Sequence, residues 1–293
     1  MTSRNGLLLV DKASGMTSHD VVAKLRRLLG ERSIGHAGTL DPMATGLLVM
    51  GVGRATRLLR FAQAETKRYT GAVRFGIATD SLDADGAVVA EAPVPELNAE
   101  LVAAAAAALT GDILQVPPMV SAIKQGGRKL YELAREGQEV ERAPRPVTIS
   151  SFVLTPSDDP AVWTFDVSCS VGTYIRVLAA DLAERLGTLG HLVALRREAS
   201  GTHDVRDAHR LEDIAAMVER GEDPLEPPLS FVSTFERVHL DAAGVLAVGQ
   251  GKRLAYQGTS DIAAAVDEDG ELVAVLVRRK DAWQPDVVLR PAH

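Results

Sequence analysis

The segment at residues 163–171, WTFDVSCSV, alternates strictly between apolar and polar side chains. A period of two residues is typical of a β-strand with one buried and one solvated face. Such strands belong to sheets that are covered on one side, and these sheets are mostly antiparallel. The segment 67–80, KRYTGAVRFGIATD, predicts a further strand in which Tyr69, Gly71, Val73, Phe75 and Ile77 share one face. The sequence therefore predicts a one-faced sheet as the basis of the fold.

Two apolar stripes at helical spacing predict amphipathic helices. Their members are Val21, Val22, Leu25, Leu28 and Leu29 in the first stripe, and Ile175, Leu178, Leu182 and Leu186 in the second. Ser18 is the predicted N-cap of the first helix, and Gly187 ends the second. An Ala-rich segment that follows Asn98 predicts a third helix, and Asp83 begins a predicted hairpin turn, DADG. These elements predict an α+β fold with a mixed, mainly antiparallel sheet and flanking helices.

The length of 293 residues suggests about two domains. The Pro- and acid-rich segment 222–230, EDPLEPPLS, indicates a linker, and the short β-like segments after it predict a compact barrel. We therefore predict a first domain at residues 1–229 and a small β-barrel domain at residues 230–293. Residues 117–146 are bounded by prolines and predict an inserted arm with a basic side.

Composition excludes several kinds of site. Cys169 is the single cysteine, so the chain can form neither an internal disulfide nor a thiolate zinc cage, and the seven histidines lack metal-ligand spacing. We therefore predict neither a metal nor a cofactor. The net charge of −7 argues against a nonspecific nucleic-acid coat protein. A basic stretch at residues 54–74 either faces RNA or forms a solvated surface. The absence of a signal peptide and of a long apolar run predicts a cytoplasmic protein without membrane contact.

The segment 35–48, GHAGTLDPMATGLL, places Asp41 between a Gly-containing approach and a proline. Asp followed by Pro is a common start of a helix, so Asp41 can be an N-cap. Pro42 also restricts Asp41 to extended geometry, and Gly35 and Gly38 permit a close approach to a ligand. A placed, reactive carboxylate is therefore the second interpretation, and the two roles are compatible.

Three further residues are candidates for the same site. Arg176 has no carboxylate at helical spacing, so it either reaches solvent or pairs with an acid from elsewhere; Asp41 is the candidate partner. Tyr69 lies on the apolar face of its strand and is either a core residue or a ring that stacks on a base. His36 is either a turn residue or a ligand contact. The residue pattern leaves these alternatives open.

The segment 35–57, GHAGTLDPMATGLLVMGVGRATR, is very similar to the signature of the bacterial tRNA pseudouridine-55 synthases of the TruB type. The resemblance continues in order through DKASGMTSHDVV, KRYTGAVRFGIATDSLDADG, SAIKQGGRKLYELAREGQEVER, GTYIRVLAADLAERLG and GHLVALRREASG. It covers the whole predicted first domain. It implies the pseudouridine synthase fold followed by a PUA-like RNA-binding barrel.

The resemblance also implies roles for individual residues. Asp41 is then the nucleophile, Tyr69 packs on the target base and handles a proton, and Arg176 forms a salt bridge with Asp41. His36, Tyr174 and Leu195 line the substrate site, and His36 is the candidate for filling the space that a flipped base leaves. The basic arm contacts the RNA backbone through Lys124, Arg128, Lys129, Arg142 and Arg145.

The implied reaction isomerises the T-loop uridine at tRNA position 55, which requires breaking the N1–C1′ bond and rejoining the ring through C5. Attack at C1′, attack at C6 and abstraction of a C2′ proton all remain open. The implied partner is the tRNA T-stem-loop, with no obligate protein partner, and we expect a monomer. The alternatives are a guide-RNA-dependent synthase subunit, a tRNA-folding factor with secondary catalysis, and an aspartyl-phosphate enzyme, which the absence of paired acids for Mg²⁺ disfavours.

Overall fold

The computed structural model describes residues 4–62, 66–119, 124–125, 128–129 and 140–291. Within these ranges the strands are β1 (Gly6–Lys12), β2 (Ile34–His36), β3 (Thr45–Val52), β4 (Thr66–Phe75), β5 (Ile77–Thr79), β6 (Val88–Glu91), β7 (Gly111–Gln115), β8 (Lys124–Gln125), β9 (Arg128–Lys129), β10 (Arg145–Pro156), β11 (Val162–Ser170), β12 (Gly190–Ser200), β13 (His203–Asp204), β14 (Glu236–His239), β15 (Leu254–Ala255), β16 (Ile262–Val266), β17 (Leu272–Arg279) and β18 (Ala282–Val288). The α-helices are α1 (Ser18–Leu29), α2 (Ala99–Ala107), α3 (Ile175–Arg185), α4 (Leu211–Glu219) and α5 (Ala242–Gly249).

The first sheet has the strand order β1-β3-β12-β4-β11-β10-β7, with β2 paired to β3 and β13 paired to β12. All of its pairs are antiparallel except the short parallel contact between β3 and β12. The predicted mixed, mainly antiparallel sheet is therefore confirmed. β4 lies between β11 and β12, so Tyr69 is opposite Val167 on one side and Arg197 on the other.

The period-two prediction for residues 163–171 corresponds to β11 except at its last residue: Val171, predicted on the buried face, lies after the strand and is 48% exposed. Its apolar members Trp163, Phe165, Val167 and Cys169 are buried in the main core. Helices α2 and α3 contribute to the same core, so they cover that face of the sheet. The stripe of α1 packs with β1, β3 and α4 in a second core. The sheet and its flanking helices confirm the predicted fold class.

The predicted cap of α1 is wrong by one residue. Thr17 is the N-cap: its side chain accepts from the Asp20 amide at 3.1 Å, and the Asp20 carboxylate accepts from the Thr17 amide at 2.9 Å. This reciprocal capping box stabilises the first turn. Ser18 lies inside the helix and is buried, so its hydroxyl is available for a contact outside the helix. Asn98, in contrast, caps α2 as predicted, since its Oδ1 accepts from the Leu101 amide at 2.8 Å.

The C-terminal segment forms a five-stranded sheet with the order β14-β16-β17-β18-β15. It shares a continuous apolar core with the first sheet, in which Leu7, Leu47 and Leu58 pack together with Phe231, Ala264 and Val287. The predicted boundary between residues 229 and 230 falls inside a short 3-10 helix, Pro228–Val232. The two sheets are therefore joined by packing as well as by the chain.

Most of the basic residues at positions 54–74 have partners within the protein. Arg54 donates to the Leu289 carbonyl at 2.9 Å and Arg57 to the Val288 carbonyl at 2.8 Å, and Arg60 forms an ion pair with Asp286. These three contacts join the segment after β3 to the C-terminal sheet. No helix in the described ranges is both long enough and apolar enough to cross a membrane.

Candidate active site

Asp41 lies in the loop between β2 and β3. The Ala44 amide donates to the Asp41 carbonyl at 3.1 Å, which makes a single turn, and β3 begins at Thr45. Because no helix begins after Pro42, the interpretation of Asp41 as a helix N-cap is wrong. Its carboxylate is available for other contacts, and 35% of the side chain is exposed.

Two buried side chains fix this loop from α1 and β1. The Ser18 hydroxyl accepts from the Leu40 amide at 2.9 Å and donates to the Leu40 carbonyl at 3.2 Å. The fully buried Lys12 donates its ammonium protons to the carbonyls of Met16 at 2.7 Å, Ala13 at 3.0 Å and Pro42 at 3.2 Å. The backbone on each side of Asp41 is therefore tied to the core.

Arg176, in the first turn of α3, joins Asp41 to a second carboxylate. Its Nε lies 2.9 Å from Asp41 Oδ2, and its Nη2 donates to Asp41 Oδ1 at 3.3 Å. The same Nε lies 3.5 Å from Asp83 Oδ2, and Nη1 donates to the Ser81 carbonyl at 2.7 Å. The two-point contact with Asp41 fixes the orientation of that carboxylate. The predicted pairing of Arg176 with Asp41 is present in the structure.

The electrostatics of Asp41 result from opposing effects. Burial raises the pKa of Asp41 above its ordinary value, the positive charge of Arg176 lowers it, and the nearby Asp83 carboxylate raises it again. Arg176 thus favours the ionised carboxylate in surroundings that otherwise favour the neutral acid. A partly desolvated carboxylate that is held ionised is suited to nucleophilic attack.

Asp41 opens into a cavity of about 260 Å³. The residues that line it are Thr39, Leu40, Asp41, Lys67, Tyr69, Gly172, Thr173, Tyr174, Ile175, Arg176 and Leu195. Five residues predicted for the site, Asp41, Tyr69, Tyr174, Arg176 and Leu195, are therefore brought together at one cavity. They come from a loop, two central strands and the start of α3, so only the folded sheet assembles them.

Tyr69 lies on the central strand β4 and is 7% exposed. Burial raises the pKa of the Tyr69 phenol, while the guanidinium of Arg197 lowers it. Arg197 is fully buried; its Nε donates to the Leu47 carbonyl at 2.6 Å and its Nη2 to the Gly38 carbonyl at 3.2 Å. The free protein thus holds Tyr69 as the neutral phenol, which can stack on a base and donate a proton.

Tyr174 is held through its backbone. Gln115 at the end of β7 accepts from the Tyr174 amide at 2.7 Å and donates to the Tyr174 carbonyl at 3.1 Å. Gln115 is buried, so this pair of hydrogen bonds is protected from water. It fixes the start of α3, and hence Arg176, against the strand that leads into the predicted arm.

Other predicted residues lie apart from the cavity lining. His36 is half-buried at the end of β2, and burial together with Arg197 lowers its pKa. Arg142 donates to the Pro117 carbonyl at 3.0 Å, which joins the two ends of the arm, and Arg145 is exposed at the start of β10. The side chains of Lys124, Arg128 and Lys129 lie outside the described residues.

Four residues of the site escaped the sequence interpretation: Lys12, Lys67, Asp83 and Gln115. Each is a polar side chain that is less than 10% exposed. Local patterns explained each of them in another way; DADG, for instance, does form a turn, since the Gly86 amide donates to the Asp83 carbonyl at 3.3 Å. Within the described ranges, no three His, Cys, Asp or Glu residues are grouped to hold a metal ion.

Comparisons with known proteins agree with this geometry. The model "TruB family pseudouridylate synthase (N terminal domain)" matches residues 26–175, and "tRNA Pseudouridine synthase II, C terminal" matches residues 235–290. A tRNA pseudouridine synthase B of Mycobacteroides abscessus is 45% identical over 99% of this chain and 98% of its own length. One of Rhodococcus jostii is 44% identical over 98% of this chain and 94% of its own.

Solved structures show the same fold at lower identity. An H/ACA RNP bound to a substrate RNA containing 2′-deoxyuridine has a chain that superposes with a TM-score of 0.74 at 22% identity, covering 98% of this chain and 85% of that one. A Cbf5-Nop10-Gar1 complex gives a TM-score of 0.73 at 24% identity, with the same coverage of both chains. The family model matches residues 26–175, and a relative at 45% identity aligns with nearly the whole chain; the cavity and the Asp41–Arg176 pair agree with both findings. The chain therefore belongs to the TruB family of pseudouridylate synthases.

Proposed function

We propose that this chain is a tRNA pseudouridine synthase that isomerises the T-loop uridine at position 55, with Asp41 as the nucleophile. The observation that carries the proposal is the contact of Arg176 with both oxygens of Asp41, two residues that line the same cavity. The relatives that match nearly the whole chain are tRNA pseudouridine synthases B, which supports tRNA as the substrate.

The lining of the cavity suits a uracil ring. Tyr69 and Leu195 offer apolar surfaces for the two faces of the base, and Asp41 and Arg176 offer charged groups for the reacting atoms. A uridine in a folded loop must leave its stack to enter such a cavity. His36 remains the proposed residue for the vacated space, and the arm residues Lys124, Arg128, Lys129, Arg142 and Arg145 remain the proposed backbone contacts.

Isomerisation needs no oxidant, reductant or group donor, because the product contains the same atoms as the substrate. We infer that no cofactor takes part. Tyr69 enters the reaction as a neutral phenol, so it first acts as a stacking group and a proton donor. Removal of the C5 proton then requires a base that forms during the reaction or a second group in the cavity.

The stand-alone form is favoured over the guided form. The two tRNA pseudouridine synthases B align with this chain over 94–98% of their own length at 44–45% identity. The chains of the H/ACA and Cbf5 structures share only 22–24% sequence identity with it and show the fold alone. We therefore infer a protein that acts on bare tRNA without an obligate protein partner, as a monomer in the cytoplasm.

Tritium release from uridine C5 tests the proposal. An unmodified tRNA transcript labelled at C5 is incubated with the purified chain in the presence of a metal chelator, and the site is mapped in the product. We expect release from the T-loop uridine by the wild type and none by Asp41→Asn, with both proteins binding the transcript. Release that requires an added guide RNA or protein would instead establish the guided form. A folded, tRNA-binding wild type without release would leave a tRNA-folding factor.

A further inference from the structure

The cavity contains a cation, Lys67, for which the described residues supply no ion-pair partner. Lys67 lies on β4, two residues before Tyr69 and on the same face, and it is 9% exposed. Its side chain lines the cavity together with Asp41 and Tyr69. Across the part of the chain that the structure describes, its ammonium has no hydrogen-bond or ion-pair partner.

A second cation makes this end of the cavity more positive. A methyl group placed on Gly38 would lie 2.9 Å from Lys67 Nζ and 3.6 Å from Arg197 Nη1, so the two cations are near neighbours. Arg197 Nη1 is itself buried without a hydrogen-bond partner in the described residues. Burial and the charge of Arg197 lower the pKa of Lys67 to about 8.

A mostly buried ammonium without a neighbouring anion destabilises the native state, because it loses part of its hydration and gains no counter-charge. A buried charge without a partner costs stability, and residues with such a cost are found mainly at functional sites. Lys67 lines the same cavity as the candidate nucleophile Asp41, which indicates that its missing partner arrives with the substrate.

We propose that the Lys67 ammonium binds a carbonyl oxygen of the target uracil and stabilises the negative charge that the ring acquires during isomerisation. This inference rests on the proposed function, since it requires the uracil in the cavity. Lys67 is then a catalytic residue beside Asp41, and it acts on the departing base while Asp41 acts on the sugar or on C6.

The electron balance of every open route places charge on that oxygen. When the N1–C1′ bond breaks, its electron pair stays on the ring and is shared by N1 and the carbonyl oxygens; C1′ then bonds to Asp41, or forms a double bond to C2′ after loss of the C2′ proton. When Asp41 adds to C6 instead, the C5–C6 π pair moves towards C4 and the negative charge rests on O4. In the final step C5 bonds to C1′ with the ring pair; Asp41 leaves C1′ or C6, or a proton returns to C2′, and C5 loses its proton. A fixed cation in a desolvated site lowers the free energy of each charged state.

A ring oxygen is favoured over an RNA phosphate as the partner. Phosphates flank a flipped nucleotide at the entrance of a cavity, whereas Lys67 is more than nine-tenths buried beside the aromatic residue that faces the base. A phosphate contact would weaken RNA binding and reduce its salt dependence by about one counterion when Lys67 is removed. Contact with the developing charge would lower the rate and leave binding unchanged.

The first experiment compares Lys67→Met with Arg68→Met by single-turnover tritium release on a full tRNA transcript. Arg68 is the next residue, but its side chain is 53% exposed and pairs with Asp166, so it controls for a general loss of charge. We expect Lys67→Met to react roughly 100-fold more slowly, with the Kd for tRNA unchanged, and Arg68→Met to keep the wild-type rate. The inference is overturned if Lys67→Met reacts at the wild-type rate. It is also overturned if the main defect of this variant is weaker tRNA binding whose Kd depends less on salt. An inactive wild type overturns the proposed function instead.

The second experiment tests the contact itself with transcripts that carry 2-thiouridine or 4-thiouridine at the target position. Sulfur is the weaker acceptor, so the substitution at the contacted carbonyl should slow the wild type more than Lys67→Met. For each protein, the rate with the normal uridine is divided by the rate with the thiouridine. If this ratio differs between the wild type and Lys67→Met at one position only, that position identifies the oxygen that Lys67 binds. Equal ratios at both positions, with a slow variant, show that Lys67 acts only on the fold. If the Met variant fails to fold, Lys67→Arg keeps the positive charge and its pH profile, described next, carries the test instead.

Two further readouts separate catalysis from structure. Arg197 and the Cys169 thiol act on the charge of Lys67, and Tyr69, Asp41 and Arg176 are the other titratable or charged groups named here that line the same cavity. Burial raises the pKa of Cys169 to about 11, so the thiol stays neutral near pH 8. We expect kcat/KM of the wild type to fall above about pH 8, and this limb to move to higher pH in Lys67→Arg. We also expect Lys67→Met to be more stable than the wild type, since it removes an unpaired buried charge. An unmoved limb in a folded Lys67→Arg overturns the inference.

Discussion

Asp83 contacts the same guanidinium nitrogen of Arg176 that contacts Asp41. The separation is 3.5 Å for Asp83 Oδ2 and 2.9 Å for Asp41 Oδ2, and the Asp83 side chain is 7% exposed against 35% for Asp41. Asp83 does not line the cavity, so it acts through Arg176. The buried Asp83 carboxylate therefore positions the Arg176 guanidinium, which in turn orients the Asp41 carboxylate.

We expect Asp83→Asn to lower kcat by roughly tenfold or more, which corresponds to about 1.4 kcal/mol, because Arg176 loses the charge that holds it. The Kd for tRNA should not change, since Asp83 is buried away from the cavity. Single-turnover tritium release and filter binding measure the two quantities. Asp85→Asn removes an exposed carboxylate from the same turn and should behave as the wild type. Equal activity of the two variants would show that Asp83 has no positioning role.

Arg176→Gln should move the acid limb of kcat/KM to higher pH. In the wild type we expect activity to fall as pH falls through the raised pKa of Asp41, since Asp41 as the proposed nucleophile must be ionised. Arg176 opposes that rise, so its removal raises the pKa of Asp41 further. The pH profile of the single-turnover rate checks this direction. A limb that stays in place while the rate falls would assign Arg176 to substrate contact alone.

Lys12→Met should destabilise the protein more at alkaline pH than at neutral pH. Burial lowers the pKa of Lys12 to about 8, against 10.5 for an ordinary lysine. Between these values the unfolded chain binds more protons, so the free energy of unfolding of the wild type rises with pH. The gap between the wild type and Lys12→Met should therefore widen by about 2 kcal/mol from pH 7 to pH 9.5. Urea unfolding at both pH values measures it, with the exposed Lys24→Met as the control whose gap stays constant.

The two arginines at the C-terminal end of the arm should differ in their effects. Arg145 is exposed, so Arg145→Met should weaken tRNA binding and reduce the slope of log Kd against log salt by about one. Arg142 donates to the Pro117 carbonyl, so Arg142→Met should also loosen the base of the arm and increase cleavage there by a protease. A salt titration and limited proteolysis distinguish the two, and identical behaviour would contradict the assignment of Arg145 to the RNA backbone.

Local patterns predicted the elements well, because each element is fixed by the residues within it. The alternation in β11 and the stripes of α1 and α3 are set by the buried face of one segment, and the structure confirms all three. The absence of a local partner left open a pairing of Arg176 with Asp41, and the structure shows that contact. The family resemblance supplied Asp41 as the proposed nucleophile, a role that spacing alone left open.

The missed residues share a physical reason. Lys67 follows the alternation of β4 and Asp83 fits its turn, so neither sequence position differs from that of an ordinary strand or turn residue. What makes them unusual is burial beside Arg197 and Arg176, which are 130 and 93 residues away along the chain, so that only the folded sheet brings them together. Polar residues whose partners lie this far apart leave no periodic signal. Gln115 is of the same kind, since its partner Tyr174 is 59 residues away.

The apolar core that the two sheets share also fixes the distance between the C-terminal sheet and the cavity. Leu47 and Leu58 pack with Ala264 and Val287, and Arg54 and Arg57 bind the last strand, so the C-terminal sheet cannot swing independently of the cavity. An RNA that touches both must therefore match a set distance between them. If a bound RNA contacts both sheets, we expect a transcript with the same loop on a shortened or bent stem to bind more weakly than the full tRNA.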